Sequence, residues 1–517
     1  MGSAKMGASQ PTRHLTPCVL ALDHVAESLE DRARRIYGRF EPYRERIIAR
    51  AAKPPATFAK VLADTIEVKN PPILAAGGSR RLRALSRSAI PSVPLGASAP
   101  PARVALMAQA DLSSFQLENG LQAQDPEFAP DEASFFLGDP NGVMRRLRQA
   151  DPLPWYEGSE NAWCVLKHAD VMAISRNPAT YTSTKGILFG QEQIRPPGIP
   201  PTILEMDPPV HNLHRKLVIG SFTPHATAQL ESMVRQITRE CIEAIEPGRI
   251  TDFVESIAVP VPIYVIAEVL GVPRSDRPRF KTWSDSMVEA SGGRRTAETD
   301  ACLGEMFGYF AAVLAERRRA PKDDLVSKLA FAEVEGERLS DPAILMFCIT
   351  LLSAGNETTR NLISGGSLLL ARHAEERNRL LAEPALLPNA IEEMLRWWTP
   401  VRSFARRATC NVTLRGKQLR EGDLVLLLYA SANRDEEIWG DDSDRFDVGR
   451  DHRRLRHLAF GFGEHLCLGA PLARLEARVV FEELLARFPR FELAGEPELL
   501  ESRLINGVER LPIAIDR

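Results

Sequence analysis

One short stretch near the C-terminus, residues 460–469, constrains the fold of this chain more than any other. Its ten residues hold three glycines around a single cysteine, Cys467. Glycines let the backbone turn tightly and approach a flat object closely. Pro471 and the apolar periodicity of residues 472–488 predict a helix that begins just after the cysteine. Cys467 therefore lies where loop N–H groups and the helix dipole stabilise a thiolate, the form of cysteine that binds metals.

The other six cysteines carry no comparable pattern. No two cysteines form a Cys-x-x-Cys pair and their number is odd, which argues against a disulfide framework and predicts a reducing cytoplasm as the location. We interpret these six as small buried apolar residues. The N-terminus lacks a basic region followed by an apolar core, so no signal peptide is predicted. The longest apolar stretch, near residues 344–352, is far shorter than the ~20 residues that span a bilayer.

A long central helix is predicted from Asp341, the expected N-cap, to about Arg372. Residues 344–352 are apolar on every face, which is typical of a helix buried through the middle of a protein. The pattern therefore predicts a large, helix-dominated domain. Two short β segments interrupt it, at residues 163–166 and 424–429.

Polar residues follow abruptly in this helix, at residues 353–359. A glycine in mid-helix costs about 1 kcal/mol relative to alanine, so Gly355 calls for a reason, and with Ala354 it leaves a groove without side chains. Thr358 can donate to the carbonyl of Ala354, four residues earlier, and loosen the helix locally. From the residues alone, a charged helix exit with an ordinary threonine explains the same sequence.

Taken together, these motifs resemble those of the cytochrome P-450 superfamily of haem-thiolate monooxygenases. Residues 460–469 meet the signature Phe-x-x-Gly-x-His/Arg-x-Cys-x-Gly at every defined position, and residues 354–358 match Ala-Gly-x-Glu/Asp-Thr. Glu393 and Arg396 match the family's Glu-x-x-Arg. The resemblance covers roughly residues 125–517. It implies a mainly α fold with small β-sheets, a triangular helical prism around a buried haem b.

Upstream, Asp-Pro-Pro-x-His-x-x-x-Arg places His211 and Arg215 four residues apart on one helix face. Alone, the pair could be a solvated basic face or a weak metal site. The resemblance makes both residues donors to the haem propionates, because buried carboxylates need cations and donors. Val210 replaces the family's usual glutamate. Arg406 aligns with a propionate-binding arginine, and Arg407 is the competing choice.

The resemblance also implies the remaining roles. Cys467 is the axial iron ligand, and donation from its thiolate favours cleavage of the O–O bond. Glu357 relays protons and Thr358 hydrogen-bonds dioxygen, while Glu393 and Arg396 form a structural brace. The residues assigned to haem binding are His211, Arg215, Ala354, Gly355, Arg406, Phe460, His465 and Gly469.

The resemblance further predicts a monooxygenase that hydroxylates a hydrophobic small molecule of the steroid, terpenoid, fatty acyl or polyketide type with O₂. No flavin or nicotinamide motif is present, so a ferredoxin and an NAD(P)H-dependent ferredoxin reductase are the expected electron donors. The alternatives are peroxide-driven oxidation or oxidative coupling on the same fold, and a haem sensor or carrier. The predicted pocket walls are residues 182–205, 346–354, 401–404 and 504–508.

Charge divides the chain unevenly. The net charge is −3, which argues against a nucleic acid as partner, but residues 1–110 hold 17 Lys+Arg and 8 Asp+Glu, a balance of +9. We therefore predict a basic, partly helical, Pro/Ala/Arg-rich extension over residues 1–110, followed by the haem domain over residues 125–517. A basic patch expected to dock an acidic ferredoxin comprises Arg453, Arg454, Arg456, Arg474 and Arg478.

Overall fold

The computed structural model describes residues 124–189, 199–291 and 296–516. The predicted extension, residues 1–110, lies outside these ranges. The described chain is mainly helical with small β-sheets, as predicted. Its α-helices are α1 Ala133–Leu137, α2 Pro140–Ala150, α3 His168–Ser175, α4 Val210–Ile219, α5 Pro224–Ala228, α6 Glu231–Glu243, α7 Pro260–Val269, α8 Arg277–Ser291, α9 Ala297–Arg319, α10 Leu325–Ala330, α11 Asp341–Arg372, α12 Ala374–Ala382, α13 Leu387–Trp398, α14 Tyr429–Ala432, α15 Glu436–Trp439 and α16 Ala470–Arg487.

The strands are short and most of them pair in small antiparallel units. They are β1 Trp155–Tyr156, β2 Ala162–Val165, β3 Tyr181–Thr182, β4 Ile250–Asp252, β5 Glu333–Val334, β6 Glu337–Arg338, β7 Ser403–Ala408, β8 Val412–Leu414, β9 Lys417–Leu419, β10 Leu424–Leu428, β11 Arg490–Leu493, β12 Glu498–Leu499, β13 Val508–Arg510 and β14 Pro512–Asp516.

The largest sheet has the order β1-β2-β10-β7-β3. Strand β10 pairs in parallel with β2 and antiparallel with β7, and Leu426 lies between Cys164 and Ala405. All five residues of β10 are buried, since this strand is central and apolar throughout. Strands β2 and β10 correspond to the two β segments predicted from the sequence. The sheet fixes the position of β7, which carries Arg406 to the site.

The central helix α11 is 32 residues long and passes through the largest buried apolar cluster. Its N-cap is Ser340, whose hydroxyl accepts from the N–H of Ala343 at 3.4 Å. The sequence prediction placed the cap one residue later, at Asp341, which is instead the first helical residue. A serine hydroxyl reaches the third N–H as readily as a carboxylate does, so the two residues compete for the cap.

Helix α16 begins at Ala470, two residues before the predicted start, with Gly469 as its N-cap. The cysteine loop thus leads directly into the first turn of α16, where Pro471 lies. None of the described helices is long and apolar enough to cross a membrane.

Candidate active site

The cysteine loop is held by its own backbone. The Cys467 N–H donates to the Phe460 carbonyl at 2.9 Å, and Gly463–His465 form a single 3-10 turn. The N–H groups of Gly469 and Ala470 are directed at the Cys467 sulfur. Enclosure by the protein raises the pKa of this thiol, and those N–H groups oppose the rise. The side chain nevertheless has accessible surface, so we infer that its sulfur faces an internal space.

Gly463 fixes the loop against a distant part of the chain. Its φ of +70° lies in the left-handed region that favours glycine. A Cβ atom at this position would lie 2.1 Å from the carbonyl oxygen of Ser175, the last residue of α3. No side chain can be accommodated there, because the clash is with backbone.

Four basic side chains meet beside the loop: His211, Arg215, Arg406 and His465. The rings of His211 and His465 are 4.4 Å apart, and Arg215 donates to the Leu466 carbonyl at 2.5 Å. Burial, followed by the charges of Arg406, His211 and Arg215, lowers the pKa of His465 to about 3. These four residues, which we call the cationic cluster, were predicted together from three separate motifs.

No carboxylate of the described residues forms an ion pair with the cationic cluster, although the charges of Glu464 and Asp207 act on His211. Within the described ranges neither Arg215 nor Arg406 forms an ion pair, and the buried Nε2 of His211 has no hydrogen-bond partner. Among the described residues, His465 Nε2 lies 3.2 Å from the neutral hydroxyl of Ser183, and the His465 ring also hydrogen-bonds the backbone of Met206. Such a donor set fits a ligand that carries carboxylates, since buried charges are otherwise costly. The adjacent thiol adds a metal ligand.

Arg406 and Arg407 lie on opposite faces of β7. Arg407 forms an ion pair with Glu160 and donates to the Gly422 carbonyl at 3.0 Å. Arg406 is buried, donates to the Ala405 carbonyl at 2.7 Å, and lies close enough to His465 to lower its pKa. The structure therefore brings Arg406, not Arg407, into the cationic cluster.

The middle of helix α11 carries the residues predicted to contact dioxygen and to relay protons. Ala354 is exposed, and Thr358 donates to its carbonyl at 2.7 Å, which is the bond predicted from the sequence. Glu357 is buried, and its Oε1 accepts from Asn361 Nδ2 at 2.9 Å. A methyl group on Gly355 would lie 3.6 Å from Ile266, an ordinary contact, so protein packing alone does not require a glycine there.

The brace of Glu393 and Arg396 is completely buried. The two side chains share two hydrogen bonds of 2.7 Å, and Arg396 also donates to three backbone carbonyls. Burial would raise the pKa of Glu393, but hydrogen bonds from Arg396 and His452 lower it to about 2. Every polar atom of this carboxylate is satisfied. The pair is therefore buried and fully hydrogen-bonded, which is the geometry expected of the brace that the resemblance implies.

Four of the five predicted docking arginines already form ion pairs, and two of these pairs are partly buried. Arg474 forms two hydrogen bonds to Glu392, of 2.6 and 2.8 Å, and its guanidinium lies 4.5 Å from the centre of the Phe460 ring. Arg478 pairs with Glu231 at 2.6 Å. The side chains of Arg453 and Arg454 remain 89% exposed beside Asp451, and Arg456 is exposed. Together with Arg474, these three arginines line a cavity of ≈ 290 Å³ beside the cysteine loop.

Hydrogen bonds from Arg402 connect two of the predicted pocket walls, residues 401–404 and 504–508. The sequence did not indicate this role of Arg402. Arg402 is buried and donates to the carbonyls of Ser502 and Ile505 and to Asn506 Oδ1. Val401 forms a β-bridge with Ile505. In the first predicted wall, residues 190–198 lie outside the described ranges. No sequence signal distinguishes this buried arginine, because its acceptors are backbone groups distant in the chain.

Comparison with known proteins identifies the family. The family model for cytochrome P-450 matches residues 295–504. The polyketide biosynthesis cytochrome P-450 PksS of Bacillus subtilis (strain 168) is 35% identical over 398 residues, which cover 74% of this chain and 97% of PksS. This chain belongs to the cytochrome P-450 family. The family's cofactor is haem b, and the cysteine loop and cationic cluster described above fit its iron and its two propionates.

Other members of the P-450 family resemble the chain to a similar degree. The steroid C26-monooxygenase of Mycolicibacterium smegmatis is 38% identical over 385 residues, covering 73% of this chain and 92% of the relative. The structure of a Bacillus megaterium P-450 in complex with testosterone superposes with a TM-score of 0.64 at 34% identity, covering 72% of this chain and 98% of that one. The chain is accordingly a P-450 monooxygenase.

Proposed function

We propose that this P-450 hydroxylates a hydrophobic small molecule, with Cys467 as the axial iron ligand and the cationic cluster as the propionate site. The observation that carries the proposal is the meeting of these four basic side chains, without described carboxylate partners, beside a cysteine whose sulfur receives loop N–H groups. The haem domain would then occupy residues 125–517. Alanine at Cys467 should abolish the Soret band near ~450 nm of the reduced, CO-bound protein.

Each group of residues has a separate task in this proposal. The haem, when bound, supplies the iron chemistry that activates O₂ for insertion into a C–H bond. Thr358 presents its hydroxyl oxygen beside the exposed Ala354 surface, and its bond to the Ala354 carbonyl fixes the rotamer. In this proposal Glu357 relays protons toward Thr358 through Oε2, which accepts no hydrogen bond from the described residues and lies 3.6 Å from Arg360 Nη1, whereas Asn361 holds Oε1.

We take steroids as the first substrate class to test and polyketides as the second. Relatives of similar identity are named for each class: one is a steroid C26-monooxygenase and another is PksS of polyketide biosynthesis. The predicted walls contribute apolar side chains such as Ile187, Phe189 and Val401, which suit a hydrophobic molecule. Titration with steroids, terpenoids, fatty acids and macrolides should shift the haem from low to high spin for one class. Turnover with that ligand must then give a hydroxylated product.

We propose a ferredoxin, reduced by an NAD(P)H-dependent reductase, as the electron donor. The exposed guanidinium groups of Arg453, Arg454 and Arg456 beside the cysteine loop favour an acidic partner. Arg454→Glu should slow reduction by ferredoxin about tenfold at low salt and less at high salt, whereas Arg490→Glu, at an exposed residue of β11, should have little effect. Equal rates for both variants at every salt concentration would refute docking at this patch. Turnover driven only by peroxide would favour the peroxide-dependent alternative.

A further inference from the structure

Arg402 is a buried cation that has no carboxylate partner among the described residues. Its exposed fraction is 4%, and burial alone lowers the pKa of its guanidinium to about 9. Burying a charge is costly unless the charge is paired and hydrogen-bonded, and the buried Arg396, for example, pairs with Glu393. The acceptors of Arg402 therefore indicate why an arginine lies at this position.

The guanidinium of Arg402 gathers three acceptors from residues 502–506, which we call the 502–506 turn. Nη1 donates to the carbonyls of Ser502 and Ile505, and Nη2 donates to Asn506 Oδ1 at 3.0 Å. The turn lies between β12 and β13, and a two-stranded unit of this kind is marginally stable on its own. Its shape therefore depends on contacts from outside the strands.

Arg402 supports the tip of the 502–506 turn, whereas other residues support its end. At the end, the Asn506 carbonyl accepts from Trp398 Nε1 at 2.9 Å. At the tip, the Leu504 carbonyl accepts from the Arg402 N–H at 2.8 Å. Among the described residues outside the turn, Arg402 is the one that donates to the tip, with its backbone and its side chain.

The flat shape of the guanidinium contributes as well as its charge. It lies 4.6 Å from the centre of the Phe136 ring, in α1, which is a distance typical of a cation–π contact. Stacking on the ring fixes the plane of the guanidinium, so that the two Nη atoms are directed at the turn. A lysine at position 402 would keep the charge but would have neither the plane nor the fork.

The position of the turn matters because two of its side chains belong to the predicted pocket walls. Leu504 and Ile505 are partly exposed, and Ile505 forms the β-bridge with Val401 of the other wall. Just after the turn, a Cβ atom on Gly507 would lie 2.5 Å from Asn361 Oδ1. The end of the turn is therefore packed tightly against α11, while its tip depends on Arg402.

We propose that Arg402 is a specificity-determining residue of this monooxygenase. It acts as a positioning residue: by holding the tip of the 502–506 turn, it keeps Leu504 and Ile505 at fixed places in the pocket wall. These two side chains then select which C–H bond of the substrate faces the haem. The inference rests on the proposed hydroxylation and on the predicted pocket walls.

Arg377 provides a matched control. It is similarly buried, donates to the carbonyls of Leu370 and Phe491 at 3.3 and 2.7 Å, and lies 5.2 Å from the centre of the Phe491 ring. Neither acceptor lies in a predicted pocket wall. Removal of either guanidinium should therefore cost similar stability, but only the loss at Arg402 should change the pocket.

The test compares haem-loaded Arg402→Met and Arg377→Met, with two azoles that bind haem iron as probes. Imidazole is too small to reach from the iron to the pocket wall, whereas clotrimazole extends three aryl rings away from the iron. Arg402→Met should weaken clotrimazole binding about tenfold and leave imidazole binding within about twofold, because a mobile wall must be ordered on binding. Optical titration measures both dissociation constants, and Arg377→Met should change neither.

The product pattern is the second readout. With the first compound that the wild type hydroxylates, Arg402→Met should lower the ratio of major to minor product about fivefold, and Arg402→Lys should restore part of it. An unchanged product ratio in Arg402→Met would overturn the inference, and so would equal changes in Arg377→Met. If Arg402→Met does not bind haem, Arg402→Lys decides by the same measurements.

Failure of the proposed function would give a different result. The wild type would then hydroxylate no hydrophobic compound, whereas the ratio of the two azole dissociation constants would still decide whether Arg402 shapes the pocket. An equal ratio in the wild type and in Arg402→Met would refute that role.

Discussion

Two buried glutamates in this P-450 have opposite surroundings. Glu393 receives hydrogen bonds on both oxygens, from Arg396, His452 and the Asp447 N–H. Glu357 accepts a hydrogen bond on one oxygen only, from Asn361; among the described residues its other oxygen accepts none and forms a longer ion pair with Arg360, at 3.6 Å. Burial is similar, so it does not explain the difference. The saturated carboxylate of Glu393 has no oxygen left to contact another molecule, whereas that of Glu357 has one.

The contrast indicates how one protein uses glutamate in two ways, as a structural residue at Glu393 and as the proposed proton relay at Glu357. Hydrogen bonds from charged donors lower the free energy of the ionised form, and at Glu393 they outweigh the cost of burial. At Glu357 one carboxylate oxygen, Oε2, accepts no hydrogen bond from the described residues. This arrangement is less stabilising, but it leaves Oε2 able to contact another molecule. Buried groups left unsatisfied in this way tend to mark functional sites.

The largest effect is expected from removal of the positive partner in the brace. Arg396→Ala leaves the Glu393 carboxylate buried without its main donor, which typically costs 3–5 kcal/mol. We expect little or no folded, haem-loaded protein, measured by thermal unfolding and by the reduced CO spectrum. Arg372→Ala, at the exposed end of α11, serves as control and should change stability by less than about 0.5 kcal/mol. A stable Arg396→Ala holoprotein would remove the distinction between the two glutamates.

The contribution of Glu393 to the free energy of unfolding should depend on pH. The pKa of Glu393 is lowered from 4.5 to about 2. Its ionised form therefore stabilises the native state above pH ~4.5, and roughly 3 kcal/mol of that stability is lost as the pH falls toward 2. Glu393→Gln should be less stable at pH 7 but should lose less between pH 5 and 3. Urea unfolding at several pH values measures how the free energy of unfolding depends on pH in the wild type and in Glu393→Gln. Equal pH dependence in the two proteins would contradict the lowered pKa of Glu393.

Neutralising Glu357 should affect rate and not stability. Glu357→Gln keeps the shape and the acceptor for Asn361 but cannot carry a proton, so turnover should fall about 100-fold. The unfolding midpoint should change by less than about 1 °C, roughly 1 kcal/mol for a chain of this size. Glu383→Gln, at an exposed position, is the control and should leave turnover intact. A large loss of stability with normal turnover would make Glu357 a second brace.

The smallest effect is expected from shortening each side chain by one methylene group. Glu357→Asp should retain most stability and raise peroxide release about threefold, since the carboxylate withdraws from Asn361. Glu393→Asp should cost about 2 kcal/mol, because several hydrogen bonds are strained together. Stability and peroxide release measured for both aspartate variants would show which carboxylate tolerates a change of position. Equal changes in the two variants would contradict the difference proposed between Glu357 and Glu393.

Much of this arrangement was predictable from local sequence. The cysteine loop, the bond from Thr358 to Ala354 and the spacing of Glu393 and Arg396 each depend on residues at most ten apart, whereas the burial of the Glu393 pair was expected only from the family resemblance. Asn361 could also have been found, because it lies four residues after Glu357 on the same helix. The choice between Arg406 and Arg407 required β7 to be placed beside His465. The N-cap at Ser340 was missed by one residue.

Contacts between distant segments could not be predicted. The bonds of Arg402 to Ser502, Ile505 and Asn506 span about a hundred residues, and nothing in either segment marks the other. The ion pair of Arg474 with Glu392 was missed for the same reason, and it changes a predicted docking residue into a partner of Phe460. Such contacts depend on the packing of whole helices, which one sequence does not display.

The close approach of Gly463 to Ser175 has a consequence for truncation. The family model matches residues 295–504. The loop around Cys467, however, packs against the C-terminal end of α3, nearly three hundred positions earlier, and is also contacted by Ser183 and Arg215. A fragment of residues 295–504 would contain the iron ligand without the template that shapes it. Mixing residues 295–517 with residues 124–294 should restore pigment binding that neither piece achieves separately.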